Sequence, residues 1–343
     1  MGQGRTEQPP SPGDRPSALQ PGRARLIALV RSAAVATPMA AGAGTGHLGP
    51  GLACSFGAYL TLAAFSSLTS RPPLTDLLSG GVLLSLAAAA GAAAADEAAA
   101  VVAGAALVAT LQGLLDVAGG PLRMAAAMSA LAFLLAGVNL AQGVPWWVYA
   151  GQFAAGTLWQ ALVVTATGRR FTGPGPLTSL RRTCQRLRSG APFAATLAFT
   201  GALATGTAWQ IPLSHAVWLA SSALRVAKPA AQATHARAKA RVLGTLGGGA
   251  VAALLLTPRV PALLLALLVA VTIWFIQLVT AARYGWWTFC LTIVALLFGM
   301  QHGEGDWALA ATRIALTLGG VALALAVLAA GRRLTAVVRG RAG

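Results

Sequence analysis

Four of the ionisable residues that lie within or at the ends of long apolar runs are candidates for chemistry. They are Arg31, Asp116, His215 and Arg313. A charge at the centre of a bilayer costs about 2.5 to 3.5 kcal/mol on insertion scales, so such residues commonly form pairs or line a path for ions or solutes. A guanidinium in this setting can attract a carboxylate, whereas Asp116 and His215 could bind and release a proton. The chemistry that these residue types indicate is therefore anion binding with optional proton transfer.

Three of these residues also have an alternative role. Arg31 and Asp116 lie near the ends of their apolar runs, where side chains can reach the headgroups. Arg313 lies deeper and follows Glu304 and Asp306 closely. It could form an ion pair with one of these acids, or face a cavity and draw in a carboxylate. The sequence leaves both possibilities open.

Two neighbouring side chains join the candidates for a solute path. Trp218 follows His215 by about one helical turn, and its ring could anchor the helix at the membrane interface or stack on an aromatic solute. Gln160 is the amide that we include in the path. Such amides also form hydrogen bonds between helices, which are worth about 0.6 kcal/mol each.

Catalysis is not indicated by the residue pattern. Membrane phosphotransferases and prenyltransferases need clustered carboxylates to hold Mg²⁺, and here only Asp96 and Glu97 are adjacent. Cys54, Cys184 and Cys290 stand far apart, so no disulfide framework or metal knuckle is predicted. The sequence contains no zinc-ligand spacing and no Walker phosphate loop. We therefore predict no enzyme, no catalytic residue, no metal and no cofactor.

Membrane-spanning helices must hold these candidates. The chain has 343 residues, of which 56% are hydrophobic and 10% are charged, whereas soluble domains have about 25% charged residues. Its apolar runs are about 20 residues long, which is the length of a helix that crosses a bilayer. We predict an all-α polytopic membrane protein with about twelve transmembrane helices. The predicted spans are residues 26–44, 51–68, 74–95, 98–115, 122–141, 147–167, 193–209, 214–226, 242–256, 260–279, 284–300 and 309–330.

The distribution of charge predicts the orientation. With the N-terminus inside, both tails and the even-numbered turns hold nearly all of the Lys and Arg residues, including the cluster from Arg225 to Arg241. The odd-numbered turns hold only Arg259 together with four of the eight acids. Short cytoplasmic loops are enriched in Lys and Arg. Both termini are therefore predicted to be cytoplasmic and the membrane to be the plasma membrane, and the net charge of +17 reflects topology rather than nucleic-acid binding.

An internal repeat divides the predicted spans. A shift of 163 or 164 positions superposes Gly80 on Gly244, Gly156 on Gly319, and Gly168-Arg169-Arg170 on Gly331-Arg332-Arg333. Six spans per repeat make the two repeats parallel, and transporters with such repeats bind solute at the interface between them. The predicted domains are a disordered cytoplasmic tail (1–25), a first six-helix repeat (26–167), a basic cytoplasmic linker (168–191), a second six-helix repeat (192–331) and a basic cytoplasmic tail (332–343).

The linker carries six arginines, with Leu177, Leu180, Cys184 and Leu187 at helical spacing between them. This pattern is typical of a short helix that lies on anionic lipids of the inner leaflet. An ordinary positively charged cytoplasmic loop would give the same composition, and both interpretations stay open.

A set of motifs marks the second half. His215-Ala216-Val217-Trp218 is followed by Lys228-Pro229, and then by Arg241-Val242-Leu243-Gly244-Thr245-Leu246-Gly247-Gly248. On these residues the chain resembles the fusaric-acid-resistance-like integral membrane transporters, the family that includes aromatic acid exporters. The resemblance implies export of a small organic acid, in particular an aromatic carboxylic acid, from the cytoplasm. Gly244, Gly247 and Gly248 are interpreted as helix-packing positions.

Two other functions remain open at this point. One is a channel-like pathway for organic anions, because the resemblance extends distantly to plant malate-type anion channels. The other is a non-transporting scaffold or accessory subunit. The predicted partners are the bilayer with its anionic inner-leaflet lipids and a small organic anion, with no nucleic acid. The sequence does not determine the oligomeric state.

Overall fold

The computed structural model describes residues 21–65, 74–119, 122–137, 144–168, 176–213, 215–256, 260–279, 284–299 and 306–341, with the backbone alone at 176–189, 256, 299, 306 and 334–341. Within these ranges every regular element is helical, which confirms the all-α prediction. The twelve helices are α1 (Pro21–Thr45), α2 (Leu48–Ala64), α3 (Leu74–Ala94), α4 (Ala98–Ala118), α5 (Leu122–Leu135), α6 (Trp146–Thr167), α7 (Pro176–Gln210), α8 (Val217–Val226), α9 (Ala231–Leu256), α10 (Ala262–Leu278), α11 (Tyr284–Gly299) and α12 (Asp306–Arg341).

Length and composition make this a multi-pass membrane protein. Five helical segments of the described chain are long and apolar enough to cross a bilayer by themselves, and five shorter apolar helices of 10–17 residues accompany them. The five long segments are Pro21–Thr45, Leu74–Ala94, Ala98–Ala118, Ala231–Leu255 and Trp307–Arg333. Exposed tryptophans stand at the starts of α6 and α12, a position that is typical of the interface between membrane and water.

Several helix boundaries differ from the prediction. Helix α7 is 35 residues long, so the predicted linker helix is continuous with the span that follows it. Helix α9 begins at Ala231, well before the predicted start at residue 242, and α12 continues into the predicted C-terminal tail. Hydropathy underestimates these helices because their basic turns lower the local average while the backbone remains helical.

Proline shapes α1 without breaking it. Pro38 lies inside the helix and cannot donate the usual hydrogen bond to the carbonyl four residues earlier. That carbonyl belongs to Ala34, and the indole Nε1 of Trp159 on α6 donates to it over 2.8 Å. A side chain from a neighbouring helix therefore satisfies the exposed backbone group, as buried polar groups in a membrane require.

Several contacts among the first six helices have counterparts among the last six. Helix α2 contacts α1 and α6, α3 contacts α5 and α6, and α4 contacts α5. In the same way α8 contacts α7 and α12, α9 contacts α11 and α12, and α10 contacts α11. The two sets meet where α4 lies against α7 and where α1 lies against α10. Each of these two contacts is the counterpart of the other when the halves are exchanged.

Two glycines bring matching helices into close contact. A Cβ atom at Gly156 on α6 would overlap the carbonyl of Cys54 on α2, and a Cβ atom at Gly320 on α12 would overlap the carbonyl of Leu219 on α8. Small residues of this kind let helix backbones approach closely in lipid. The sequence repeat aligned Gly156 with Gly319, but in space Gly320 makes the equivalent contact.

Candidate functional site

A cavity of about 410 Å³ lies between the two halves of the bundle. Helices α2, α5 and α6 of the first half line it, together with α8, α9, α11 and α12 of the second. At one end it reaches Gly49, Val144 and His215, which lie at the starts of α2, α6 and α8. From there it extends into the bundle as far as Arg225 and Arg241. Its walls are largely apolar and its inner part is basic.

Three buried arginines give the cavity its charge. Arg225 on α8 is 9% exposed, Arg241 on α9 is 1% exposed and Arg313 on α12 is 3% exposed. Each lines the cavity. Both ion pairs found among the described residues involve Asp116, which lies outside the cavity, so neither of them neutralises these guanidiniums.

Some polar atoms of this group have no hydrogen-bond partner among the described residues. Arg241 donates from Nη2 to Ser222 Oγ over 3.2 Å, but its Nε and Nη1 atoms are buried without a hydrogen-bond partner. The same holds for Arg313 Nε and for the hydroxyl of Tyr59, a residue that also lines the cavity. Tyr59 interacts electrostatically with all three arginines. Buried donors without an acceptor are costly, so this group is suited to an anionic ligand.

Aromatic rings hold two of the guanidiniums in place. The Arg313 guanidinium lies over the Trp218 ring, 4.4 Å from its centroid, and the Arg225 guanidinium lies 5.1 Å from the centroid of Trp287. A cation at this distance from an aromatic face is attracted by the ring quadrupole. The rings therefore orient the charges without neutralising them.

His215 stacks on Trp218 at the cavity entrance. The ring centroids are 4.7 Å apart with an interplanar angle of 28°. The backbone of His215 has a φ of 64°, in the left-handed region that costs a residue with a side chain about 1 kcal/mol or more. This conformation ends the turn before α8 and directs the imidazole towards the tryptophan. The order of contacts is therefore His215, Trp218 and Arg313.

Further aromatic side chains face the same space. Phe56 on α2 packs edge-to-face against Phe298 on α11, with centroids 5.2 Å apart, and both line the cavity with Tyr149. Such edges and faces suit an aromatic ring, which prefers offset or edge-to-face neighbours.

The cavity contains three of the predicted path residues, namely Arg313, His215 and Trp218. The two acids predicted as possible partners of Arg313 cannot be placed beside it, because Glu304 and the side chain of Asp306 lie outside the described residues. What the structure does place beside Arg313 is the Trp218 ring.

Arg31 and Gln160 lie elsewhere, at the contact between α1 and α6. Arg31 is fully buried, in contrast to the snorkelling alternative, and donates from Nε to Thr167 Oγ1 over 2.9 Å. Gln160 donates from Nε2 to the Arg31 carbonyl over 3.3 Å. Neither residue lines the cavity, and their contacts join two helices of the first half.

Asp116 also lies away from the cavity. It forms an ion pair with Lys228, in the turn between α8 and α9, and lies 3.9 Å from Arg123 Nε. The Lys228 backbone is held by Thr234, whose hydroxyl accepts from its N–H over 3.1 Å. One turn earlier on α4, Gln112 Nε2 donates to the carbonyl of Leu224 over 3.1 Å. These contacts tie α4 of the first half to the end of α8.

This ion pair leads to a stability prediction. Burial lowers the pKa of Lys228, and the neighbouring carboxylate of Asp116 opposes that shift. We expect Asp116→Asn to leave the ammonium without its counter-charge and to destabilise the fold by about 2 kcal/mol, a value reduced from that of fully buried pairs because Lys228 is partly exposed. Thermal unfolding in detergent measures the loss, with the exposed Asp96→Asn as the matched control. Equal midpoints for the two variants would show that the ion pair contributes nothing.

The predicted packing glycines lie on α9 against α11. A Cβ atom at Gly244 would lie 2.6 Å from the Gly285 carbonyl oxygen, and one at Gly248 would overlap the backbone of Phe289. At Gly247 the nearest atom would be in the Phe289 ring, at 3.2 Å. Because these glycines let α9 pack closely against α11, Arg241 on α9 lies inside the bundle.

Sequence reasoning missed Arg225, Arg241 and Tyr59. It assigned both arginines to a cytoplasmic cluster that sets topology, whereas the structure shows that both are buried and line the cavity. Arg241 lies about three turns inside α9, a helix that begins at Ala231. A signal was present in the predicted span 214–226, which already contains Arg225, and in the glycine motif that begins at Arg241.

The comparison with known families adds to this geometry. The family model described as fusaric acid resistance protein-like matches residues 195–327. This part of the chain is similar to that family. No curated protein and no solved structure gives a match. The matched residues of this fusaric acid resistance-like chain include Arg225, Arg241 and Arg313, together with His215 and Trp218. This similarity and the apolar helices together indicate a transporter-like membrane protein.

Proposed function

We propose that this protein is a carrier that exports small organic anions, above all aromatic carboxylates, from the cytoplasm. The observation that carries the proposal is the cavity with three buried arginines and no acidic side chain among its described lining residues. Fixed guanidiniums in a poorly solvated pocket are the groups that proteins use to bind carboxylates. A hydrogen-bonded carboxylate would satisfy Nε and Nη1 of Arg241 and Nε of Arg313, which have no acceptor among the described residues.

The rings around the arginines favour an aromatic substrate. Trp218, Phe56 and Phe298 line the cavity near the charges. Ligand pockets are mostly apolar, with a few polar groups that fix the orientation of the ligand. A benzoate-like molecule matches both parts, because its ring would contact the aromatic wall while its carboxylate meets the guanidiniums.

The arrangement of helices supports a carrier built from two parallel six-helix repeats. The matching contacts within the two halves, and the equivalent close approaches at Gly156 and Gly320, are those expected of a pseudo-two-fold axis along the membrane normal. The cavity lies where the two halves meet. In alternating access one repeat rocks against the other around a site in this position.

The proposed direction of transport follows from the predicted orientation of the chain and from the membrane potential. If both termini are cytoplasmic, the cavity reaches from the middle of the bundle towards the outer face, and Asp116 with Lys228 lies at the inner end. An inside-negative potential drives an anion outward by about 2.3 kcal/mol per charge per 100 mV. Export therefore needs no proton, and the ion-paired Asp116 is a structural tie in this proposal rather than a coupling group.

Counterflow in proteoliposomes tests the proposal. Vesicles loaded with unlabelled benzoate are expected to accumulate labelled benzoate by saturable exchange, with benzamide as the uncharged analogue that does not compete. Arg313→Gln should lower the exchange rate by about ten-fold, while Lys239→Gln, an exposed charge on α9, should leave it unchanged. Gel filtration of both variants controls for folding.

Other outcomes would contradict the carrier proposal in distinct ways. Unsaturated, ohmic currents of benzoate would identify a channel-like pathway. Absence of any flux for a panel of organic anions, with well-folded protein in the vesicles, would favour the scaffold or accessory role. Normal exchange by Arg313→Gln would remove that residue from the path.

A further inference from the structure

The cavity holds more positive charge than one carboxylate can neutralise. Arg225, Arg241 and Arg313 supply three formal charges, and no carboxylate among the described residues lines the same space. A bound monoanion would leave two uncompensated charges, although each of the three arginines is at least nine-tenths buried. Like charges that are removed from water repel one another strongly because the effective dielectric constant is low.

The three guanidiniums also form one electrostatically interacting group. Arg241 interacts electrostatically with Arg225 and with Arg313, and Tyr59 interacts with all three. The stacking partners differ, since Arg313 lies over Trp218 on α8 and Arg225 lies over Trp287 on α11. Two acidic groups could therefore meet the three charges, one at Arg241 with Arg313 and one at Arg225.

The contacts of these residues distinguish the two positions. At the first, Arg241 Nε and Nη1 and Arg313 Nε are buried donors without a protein acceptor. At the second, the contacts of Arg225 with described residues are with soft groups, namely the Trp287 ring and the sulfur of Met128, which lies 3.5 Å from Nη2. Neither an aromatic ring nor a thioether neutralises a guanidinium, so Arg225 keeps its full charge beside the cavity.

We infer that the preferred substrates are organic dianions, with two acidic groups on one small aromatic frame. This inference rests on the proposed anion-carrier function and specifies its substrate class. One acidic group binds Arg241 and Arg313 near Trp218, and the second binds Arg225. A dianion reduces the excess charge of the site from two to one and supplies acceptors at both positions.

Binding measurements with matched ligands test this inference. Isothermal titration of the detergent-solubilised full-length chain compares isophthalate and terephthalate, which carry two carboxylates, with benzoate, which carries one. We expect at least one dicarboxylate to bind at least about ten-fold more tightly than benzoate, in line with the energies of buried charge pairs. Arg225→Gln should bring this ratio close to one, while the exposed Lys239→Gln should preserve it.

The possible binding results distinguish failure of the dianion inference from failure of the carrier proposal. Benzoate that binds as tightly as both dicarboxylates, or a dicarboxylate preference that Arg225→Gln leaves intact, would overturn the dianion inference and leave the carrier proposal standing. If none of the three anions binds to folded protein, the proposed function itself fails. Cyclohexane-1,3-dicarboxylate and cyclohexanecarboxylate separate charge from aromaticity, and equal binding of these two would show that a second charge brings no gain and would count against the inference.

Discussion

Replacing Arg241 with glutamine is expected to weaken the binding of an organic anion by about a hundred-fold, the largest effect of any single charge in the cavity. Arg241 is the most buried of the three arginines and the one that interacts with both others. Its Nε and Nη1 atoms have no protein acceptor. Truncating one partner of a buried, hydrogen-bonded charge pair also leaves the ligand carboxylate unpaired, which is why the loss is large.

The same substitution is expected to stabilise the empty protein. In the absence of a ligand, Arg241 is a buried cation whose desolvation is only partly offset by its hydrogen bond to Ser222. Removing such a charge typically stabilises a fold by about 1 kcal/mol or more, and proteins often sacrifice stability at functional sites in this way. Arg241→Gln should therefore raise the thermal midpoint without ligand and abolish the further rise that benzoate or a dicarboxylate causes in the wild type.

Lys239→Gln is the matched control, because it removes one positive charge from the same helix at an exposed position. It should change neither the unliganded midpoint nor the ligand-induced rise. A lower midpoint for Arg241→Gln together with weak binding would identify Arg241 as a structural residue and would contradict its role as the centre of an anion site.

The sequence was sufficient for the membrane class and for the number of helices, because both depend on local properties. Apolar runs between polar turns determine where helices form, and the positions of Arg313, His215 and Trp218 within such runs pointed to the cavity. The family resemblance, carried by the residues from His215 to Gly248, is confirmed by the family model that matches residues 195–327.

Contacts between distant helices could not be predicted in the same way. Arg225 and Arg241 lie in a basic stretch that has the composition of a cytoplasmic turn, and only the early start of α9 and its close packing on α11 bring Arg241 inside. Arg31 is the opposite case. Its position within an apolar run suggested that it lines the solute path, but its guanidinium donates a hydrogen bond to Thr167 on α6. Hydropathy reports whether a segment is buried in lipid and not which side of a helix faces a cavity.

A pair of glycines on one helix allows the close approach of the helices to be tested with a single added methyl group. At Gly156 on α6 a Cβ atom would overlap the carbonyl of Cys54 on α2, whereas at Gly151 on the same helix a Cβ atom would have no neighbour within 4 Å. Alanine favours a helix over glycine by about 0.5 to 1 kcal/mol, so Gly151→Ala should be neutral or slightly stabilising. Gly156→Ala should instead destabilise by about 3 kcal/mol, at the upper end of overpacking effects, because the clashing atoms belong to backbone.

The second half of the chain offers the corresponding pair. Gly320 meets the carbonyl of Leu219 on α8, while the nearest atom to a Cβ at Gly319 is Leu219 Cδ1 at 3.7 Å, an ordinary contact. If the halves are equivalent repeats, Gly320→Ala should lower the thermal midpoint about as much as Gly156→Ala, and Gly319→Ala should not. Both clashing helices, α2 and α8, line the cavity, so the destabilised variants should also lose anion binding. Tolerance of alanine at Gly156 but not at Gly320 would show that the two halves pack differently. Tolerance at both positions would show that the helices do not approach as closely as described, and would contradict the shape of the cavity that depends on these contacts.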